Sequence, residues 1–225
     1  MIFVAETRVG DRVEYRDTKR YLWVLSFVPA LLPFLFYGAY YATNQNPLWA
    51  LGPLIFAYLF IPVMDVLMGE DEHNRPEEIV NQMADDPFYT RLLYIAVALY
   101  FVAFTLSAWF FATADLPIWA LIVAAVSAGV FSGTALTVGH ELGHKPGRAQ
   151  QLGAKLINGL SWYGHFTQEH NTGHHTHVAT PEDSASSRFN ESFYAFILRE
   201  IPEGVRRGWA VERRKLDRRG LSFWH

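Results

Sequence analysis

Cysteine is absent from all 225 residues of the chain. Without a thiol, these residues cannot form a thiolate-ligated haem, a cysteine-ligated iron–sulfur cluster, a disulfide framework or a thiol nucleophile. Any redox chemistry here must therefore use histidine and carboxylate ligands. Because the chain has no cluster of its own to carry electrons, another protein or domain must supply them.

Charged residues are few, and nucleotide-binding motifs are absent from the sequence. Charged residues make up 18% of the chain and its formal net charge is −3 at pH 7, so bulk electrostatics indicates no partner and no nucleic acid. The sequence contains no glycine-rich dinucleotide fingerprint and no phosphate-binding P-loop. Residues 1–20 are charged and polar, which predicts a short cytosolic lead-in rather than a cleavable signal peptide.

Long hydrophobic runs, in contrast, are abundant. Hydrophobic residues make up 51% of the chain and aromatic residues 16%. A bilayer crossing takes about 20 helical residues, and four apolar stretches reach that length, at about 21–41, 48–68, 92–111 and 116–138. Prolines interrupt the first two, which membrane helices tolerate as kinks. The predicted fold class is all-α, a polytopic transmembrane helix bundle; four buried core helices of a soluble protein are the alternative.

The distribution of lysine and arginine predicts the orientation of this bundle. Residues 1–20 hold five basic side chains, the loops after the first and third spans hold none, and the loop after the second span holds Arg75 and Arg91. The segment after the fourth span is rich in basic residues. The positive-inside rule then places the N-terminus and residues 139–225 on the cytoplasmic side of the membrane.

The segments beyond the fourth span are expected to be less regular. If the fourth span continues to His144, its helix is about 43 Å long, against roughly 30 Å of hydrocarbon. Residues 151–166 are moderately apolar, which predicts a short interfacial or re-entrant helix. The composition of residues 180–187 predicts a loop. An aromatic stretch at 193–201 is expected to end at Pro202. The basic run that follows is interpreted by default as a solvated helix face, and binding of an anionic lipid surface or an acidic partner is the alternative.

Five histidines in two tight clusters carry the chemistry of the chain. His140 and His144 have the i, i+4 spacing that places two side chains on one helix face. His170 and His174 repeat this spacing, and His175 follows directly. Neutral imidazole suits iron, zinc and copper, so both clusters are predicted to bind metal on the cytoplasmic side. The other candidates are weaker, namely His165 and His177 as outer partners and His73 as a loop residue.

The first cluster also matches H-E-x-x-H, the signature of zinc metalloproteases, with Glu141 as the general base. A single catalytic zinc needs three protein ligands and an open position. The surplus of histidines suits two metal ions better than one. An intramembrane zinc protease and a metal carrier stay open as alternatives.

Four carboxylates are candidates for orienting the ligand imidazoles, which metal sites generally require. Glu169 and Asp183 are best placed by sequence, and Glu141 is adjacent to His140. Asp65 ends an otherwise apolar span, where an ionisable group is costly and is a functional candidate by default. Ordinary surface charge is the alternative for these carboxylates.

Longer motifs surround these histidines. They are Tyr21-Leu-Trp23, Asp65 with Gly69-Glu-Asp71, His140-Glu-Leu-Gly-His144-Lys, Tyr163-Gly-His165-Phe, Glu169-His170-Asn-Thr-Gly-His174-His175, Val178-Ala-Thr-Pro181 and Arg199-Glu-Ile-Pro202. Together they resemble the integral-membrane alkane monooxygenases. Membrane desaturases of fatty-acyl substrates share only the histidine spacing, whereas xylene-type hydroxylases are closer and stay open as an alternative.

The resemblance implies a non-haem di-iron centre, with five of its ligands in this chain: His140, His144, His170, His174 and His175. It also implies dioxygen as co-substrate and rubredoxin, with its reductase, as electron donor. The implied location is the bacterial inner membrane. The implied substrate is a medium-chain n-alkane, which comes from the lipid bilayer and is hydroxylated at its terminal carbon. We expect the four spans to line the alkane pocket.

The resemblance bears on the extent of the domain as well. We expect residues 1–225 to form a single membrane oxygenase domain that is truncated at its C-terminus. Members of the family continue further and supply a lone histidine and a second histidine cluster. His225 matches no ligand role.

Overall fold

The computed structural model describes residues 1–7, 9–71, 74–222 and 224. His73 and His225, which were weighed in the sequence, lie outside the described residues. The chain divides into two compact units, Met1–Thr134 and Ala135–His225, and each is described by itself.

Helices dominate the described residues, as predicted. The loop at 180–187 is confirmed, and the helix predicted over 151–166 is present as Arg148–Leu160, whereas its interfacial or re-entrant position stays a prediction. The strands are β1 (Ile2–Glu6) and β2 (Arg12–Arg16), and the helices are α1 (Val28–Ala42), α2 (Gly52–Ile55), α3 (Ile61–Met68), α4 (Glu77–Ala84), α5 (Pro87–Thr113), α6 (Ile118–Gly143), α7 (Arg148–Leu160), α8 (Phe166–Glu169), α9 (His175–His177) and α10 (Phe193–Arg218).

A β-hairpin opens the N-terminal unit, and the sequence analysis did not predict it. Strands β1 and β2 pair antiparallel, with Phe3 opposite Tyr15. Side chains alternate between the two faces of a strand. Phe3 therefore lies on the inner face, where it is buried with Ile79 and Met83 of α4. The charged residues within the strands, Glu6, Arg12, Glu14 and Arg16, are exposed on the opposite face.

The four predicted spans are confirmed. Within the described residues, four helical stretches are long and apolar enough to cross a membrane: Arg20–Ala42, Pro47–Met68, Pro87–Thr113 and Ile118–Gly143. In the second span a π-helical turn, Phe56–Phe60, joins α2 to α3. Pro53 and Pro62 lie in the first turns of these two helices, and Pro62 directly follows the π-helical turn.

Aromatic contacts and isolated polar pairs join the spans of the N-terminal unit. Tyr37 stacks on Phe110 with ring centroids 4.0 Å apart, and its hydroxyl donates to Ser107 Oγ at 3.0 Å. Asp86 caps α5 by accepting a backbone N–H and forms a buried ion pair with Arg20. Only 6% of the most apolar window of the second span is buried. Such a surface suits contact with lipid.

The N-terminal unit encloses a small apolar void of about 20 Å³. Phe36, Trp49, Ala124 and Phe131 are among the residues that line it. Most of the lining residues are apolar, and the volume is about that of one or two water-sized spheres.

The C-terminal unit packs short helices against the end of α6. Helix α7 approaches so closely that a Cβ at Gly139 would lie 1.8 Å from Asn158 Oδ1. Asn158 is fully buried and donates to Thr167 Oγ1 of α8 at 3.1 Å. The Gln151 amide donates to the Gly143 carbonyl at 2.8 Å. These contacts fix α7 and α8 against the last turn of α6.

Helix α10 continues through Pro202, so the expectation that this segment ends there was wrong. Pro202 has no N–H to donate to the Leu198 carbonyl, and an interior proline costs a helix about 3 kcal/mol. The helix nevertheless buries one face on the rest of the unit, formed by Gly204, Gly208 and Val211. Because those residues follow the proline, their packing stabilises the helix beyond it.

Candidate metal centre

The end of α6 carries the first histidine pair. The helix continues to Gly143, and the His144 backbone N–H donates to the His140 carbonyl at 3.2 Å. The two Nε2 atoms are 3.0 Å apart, as the i, i+4 spacing predicts. Two nitrogens that bind one ion at about 2.0–2.1 Å are themselves about 3 Å apart. The His140–His144 pair therefore fits a shared metal ion.

The second cluster lies on a π-helical turn, His170–His174, instead of a regular α-helix. A π-helical turn aligns residues i and i+5. The structure accordingly pairs His170 with His175, whose Nε2 atoms are 3.2 Å apart. His170 and His174, which the spacing predicted as the pair, have stacked rings with centroids 5.2 Å apart. Gly173 belongs to this turn, and a Cβ there would lie 2.5 Å from Glu169 Oε1.

The two pairs converge. The ring centroids of His140 and His170 are 4.6 Å apart, and those of His144 and His175 are 5.0 Å apart. Ligand nitrogens of His140, His144 and His170 all lie within 4.8 Å of one another. Several neutral nitrogen donors at this spacing form a donor set for iron, zinc or copper.

His174 is oriented by a carboxylate. Its Nδ1 lies 2.9 Å from Oδ2 of Asp183, whose side chain is fully buried. An ionised carboxylate only accepts hydrogen bonds, so Nδ1 carries the hydrogen and Nε2 keeps its lone pair for a metal. Burial opposes ionisation of Asp183, but hydrogen bonds from Ser186, from the Ala185 N–H and from His174 outweigh it and lower the pKa of the carboxyl.

Burial keeps the central imidazoles neutral. Desolvation, followed by repulsion from the neighbouring histidines, lowers the pKa of His170 to about 4. Burial and the same repulsion also lower the pKa of His144. An imidazole must be neutral to bind a metal, so these side chains hold their ligand form at neutral pH.

The other three candidate carboxylates have different surroundings. Glu141 is exposed, and its Oε1 lies 3.2 Å from Nδ1 of His140. Glu169 is buried and forms an ion pair with Arg207 of α10, Oε1 to Nε at 3.2 Å. Asp65 is exposed on α3 in the N-terminal unit. Of the four candidates, Asp183 contacts His174 and Glu141 contacts His140.

His165 and His177, the two histidines considered as outer partners, do not belong to the converging pairs. The His165 ring packs against Tyr163, with centroids 4.5 Å apart, and against Gly208 of α10. Its Nε2 is buried without a hydrogen-bond partner among the described residues. His177 is half-buried, and its carbonyl accepts from Thr180.

Sequence reasoning missed two polar residues that brace this centre. Asn171 lies between the ligand candidates and donates to the Gly143 carbonyl at 2.8 Å, which ties the π-helical turn to the end of α6. Arg199 of α10 binds the loop that carries Asp183. The motif around Arg199 was noted as part of the resemblance, but spacing alone gave it no role.

Comparison with known proteins identifies similar chains. The fatty acid desaturase family matches residues 117–224. Alkane 1-monooxygenase 1 of Alcanivorax borkumensis is 40% identical over 216 residues, which cover 96% of this chain and 53% of that protein. Alkane 1-monooxygenase of Pseudomonas putida is 39% identical over 213 residues, 94% of this chain and 52% of that protein. The corresponding protein of Acinetobacter baylyi is 35% identical over 213 residues, 92% of this chain and 52% of that protein.

The chain spans about half the length of the curated relatives it matches. The resemblance found in the motifs is thereby confirmed over nearly the whole of this sequence. The chain is homologous to a region that makes up about half of the alkane 1-monooxygenases.

Proposed function

We propose that this protein hydroxylates medium-chain n-alkanes at the terminal carbon, using dioxygen and external electrons. The observation that carries this proposal is the convergence of two histidine pairs, His140–His144 and His170–His175, at the end of an apolar helix. The names of the relatives supply the reaction class. Both units of the chain would serve one oxygenase domain.

The donor set fits a non-haem iron centre, and we propose two irons. The two pairs and His174 would hold the metal, and the resemblance implies further histidines outside these residues. Bound iron would supply the reduction of dioxygen and the oxidation of the C–H bond, which no side chain can perform. Asp183 and Glu141 keep Nδ1 of His174 and His140 occupied, so that Nε2 of each ring is available to the metal.

The apolar spans supply the substrate site in this proposal. An alkane offers only apolar contact, worth about 0.8 kcal/mol for each buried CH₂. Recognition must therefore depend on the length and width of a hydrocarbon-lined space. A substrate that dissolves in the bilayer can enter from the side, between helices whose surface is apolar. The void near Ala124 gives space for a chain end.

The electron donor is proposed to be rubredoxin. These residues contain no cysteine, so they hold no cysteine-ligated iron–sulfur cluster, and another protein or domain would supply the electrons. The basic residues that flank the spans support a cytoplasmic location for the histidine cluster, where a soluble donor can reach it.

A membrane desaturase is the second candidate, favoured by the match of the fatty acid desaturase family to residues 117–224. A desaturase would use the same metal and the same oxidant, but its product would contain a carbon–carbon double bond instead of a hydroxyl group. A zinc protease is disfavoured, because the two converging pairs, His140–His144 and His170–His175, bring four imidazoles together, one more than a catalytic zinc requires.

Product analysis tests the proposal. Membranes that contain the protein, rubredoxin, its reductase and NADH are supplied with octane under ¹⁸O₂. We expect 1-octanol labelled with ¹⁸O, and no product from the His170→Ala variant. The matched control is His177→Ala, a nearby histidine outside the two pairs, which should keep activity. Conversion of a fatty-acyl substrate to an alkene without hydroxylation of octane would favour the desaturase.

A further inference from the structure

The loop between α9 and α10 is held from two sides. On its inner side, the Asp183 carboxylate accepts from the Ala185 N–H at 3.0 Å, from Ser186 Oγ at 2.5 Å and from His174 Nδ1 at 2.9 Å. The orientation of His174 therefore depends on where residues 183–186 lie. Sequence composition gives this loop no regular structure of its own.

On its outer side, the loop is held by Arg199 of α10. Its Nη1 donates to the Ser184 carbonyl at 2.9 Å, and its Nη2 donates to the Ser186 carbonyl at 3.0 Å. The guanidinium therefore hydrogen-bonds to the backbone carbonyls on both sides of residue 185. A planar fork with five N–H donors can make these bonds at once, whereas an ammonium group cannot match their geometry.

Glu191 fixes the guanidinium in turn. Arg199 Nε donates to Glu191 Oε1 at 2.9 Å, and Nη2 donates to Oε2 at 2.8 Å. The Arg188 N–H also donates to Oε2 at 2.8 Å. The Arg199 side chain is 23% exposed and that of Glu191 10%, so this bidentate pair is largely shielded from water. The hydrogen bond from Arg199 lowers the pKa of Glu191 to about 2, so the pair stays charged at neutral pH.

We propose that Arg199, braced by Glu191, is a positioning residue for the metal centre: it holds residues 183–186 in place and thereby fixes the His174 imidazole for metal binding. This inference rests on the proposed function in one respect, the assignment of His174 as a metal ligand. Arg199 does not touch the metal itself. Its effect passes through two backbone carbonyls and one carboxylate.

A double-mutant cycle tests the inference. The variants are Arg199→Gln, Asp183→Asn and the double variant, all in the full-length protein in membranes. The readout is the concentration of an Fe(II) chelator that removes half of the bound iron. Loss of an outer partner of a ligand typically weakens metal binding 10–100-fold. We expect each single variant to lower the chelator concentration by about this factor.

Non-additivity is the decisive result. If Arg199 acts through Asp183, the double variant should release iron no more easily than the worse single variant. Independent effects, which multiply in the double variant, would overturn the inference. Hydrogen exchange of residues 183–186 should also rise in Arg199→Gln, and an unchanged exchange rate would overturn it too. The control is Arg206→Gln on the same helix, which removes an exposed arginine paired with the partly exposed Glu203 at 3.2 Å.

Milder variants keep the test valid if Arg199→Gln does not fold. Glu191→Gln removes the brace and leaves the arginine, and Ser186→Ala removes one hydrogen bond to Asp183. Both should weaken iron retention, and the inference is wrong if neither does. Iron retention by His174→Ala equal to that of the wild type would also overturn it. None of these readouts requires turnover, so a protein that binds iron but does not hydroxylate octane would refute the proposed function and not this inference.

Discussion

The two units of the chain differ in how their polar groups are arranged. In the N-terminal unit, polar groups meet as isolated pairs within apolar surroundings, such as Tyr37 with Ser107. In the C-terminal unit they form a connected network, in which His174, Asp183, Ser186 and Arg199 depend on one another. An apolar span is stabilised mainly by its contact with lipid and with other apolar side chains. A buried polar network is stable only when each of its members keeps its hydrogen-bond partner. Substitutions should therefore have local effects in the first unit and propagated effects in the second.

Removal of one imidazole should have the largest effect. His144→Ala takes one nitrogen from a pair that is 3.0 Å apart and from the contact with His175. We expect octane hydroxylation to fall at least about 100-fold, together with iron content, since loss of even an outer partner costs up to that factor in affinity. Elemental analysis and product formation measure both. Full activity in the variant would remove His144 from the ligand set.

The Arg20–Asp86 pair gives the strongest expected effect in the N-terminal unit. The Asp86→Asn substitution keeps an N-cap for α5 but leaves Arg20, whose side chain is 12% exposed, without its counter-charge. Breaking a buried pair costs about 3 kcal/mol, which a lower thermal midpoint in detergent would report. The exposed Arg206–Glu203 pair is the comparison, and Glu203→Gln should cost less than about 1 kcal/mol.

The same pair predicts a pH dependence. The hydrogen bond from Arg20 lowers the pKa of Asp86, against the opposing effect of burial. A carboxyl with a lowered pKa in the folded state stabilises the fold above its ordinary pKa of about 3.9, and this contribution disappears as the pH falls through the lowered value. The thermal midpoint of the wild type should therefore fall more steeply than that of Asp86→Asn below about pH 4. Parallel curves would contradict the pairing.

Two glycines of α6 make a matched pair across the two units. Gly139→Ala would place a Cβ 1.8 Å from Asn158 Oδ1, and this fully buried amide is held by Thr167. Overpacking of this kind costs about 1–3 kcal/mol. Gly129→Ala meets no atom within 4 Å and should gain roughly 0.5–1 kcal/mol, because alanine is the better helix former. Opposite shifts of the thermal midpoint are expected, and equal shifts would show that α7 does not pack as described.

The smallest effect is expected for the void of the N-terminal unit. Ala124→Leu would fill this space of about 20 Å³. If the end of a long alkane occupies this space, the variant should lose the contact of one methylene, worth about 0.8 kcal/mol. The preference for long over short alkanes should then fall roughly fourfold. Competition between octane and dodecane measures this ratio. An unchanged ratio would place the chain end elsewhere.

Composition was sufficient to predict the spans, because about 20 consecutive apolar residues have few other structures available. The hairpin was missed because its partner, Ile79 on α4, lies far along the chain from Phe3. Its strands also carry enough charge to look like a polar lead-in. The helix through Pro202 was missed for a similar reason, since burial of Gly204 and Gly208 is a tertiary effect that local propensity does not contain.

The histidine clusters were evident from spacing, but their pairing was not. The sequence offers both His174 and His175 as neighbours of His170, at i+4 and i+5. The close packing of Gly173 on Glu169 accompanies the π-helical turn that brings His175 to His170. Asp183 was identified as an orienting carboxylate, whereas Arg199 was not, because its role depends on two backbone carbonyls that no side-chain pattern reveals.

The most direct test of the metal centre is the identity and stoichiometry of bound metal in the membrane-purified protein, measured by elemental analysis for the wild type and for His144→Ala and His175→Ala. The account predicts iron, at two per molecule when the further histidines implied by the resemblance are present, and its loss from both variants because each removes one member of a converging pair. A single zinc per chain, retained when His175 is replaced, would contradict the account.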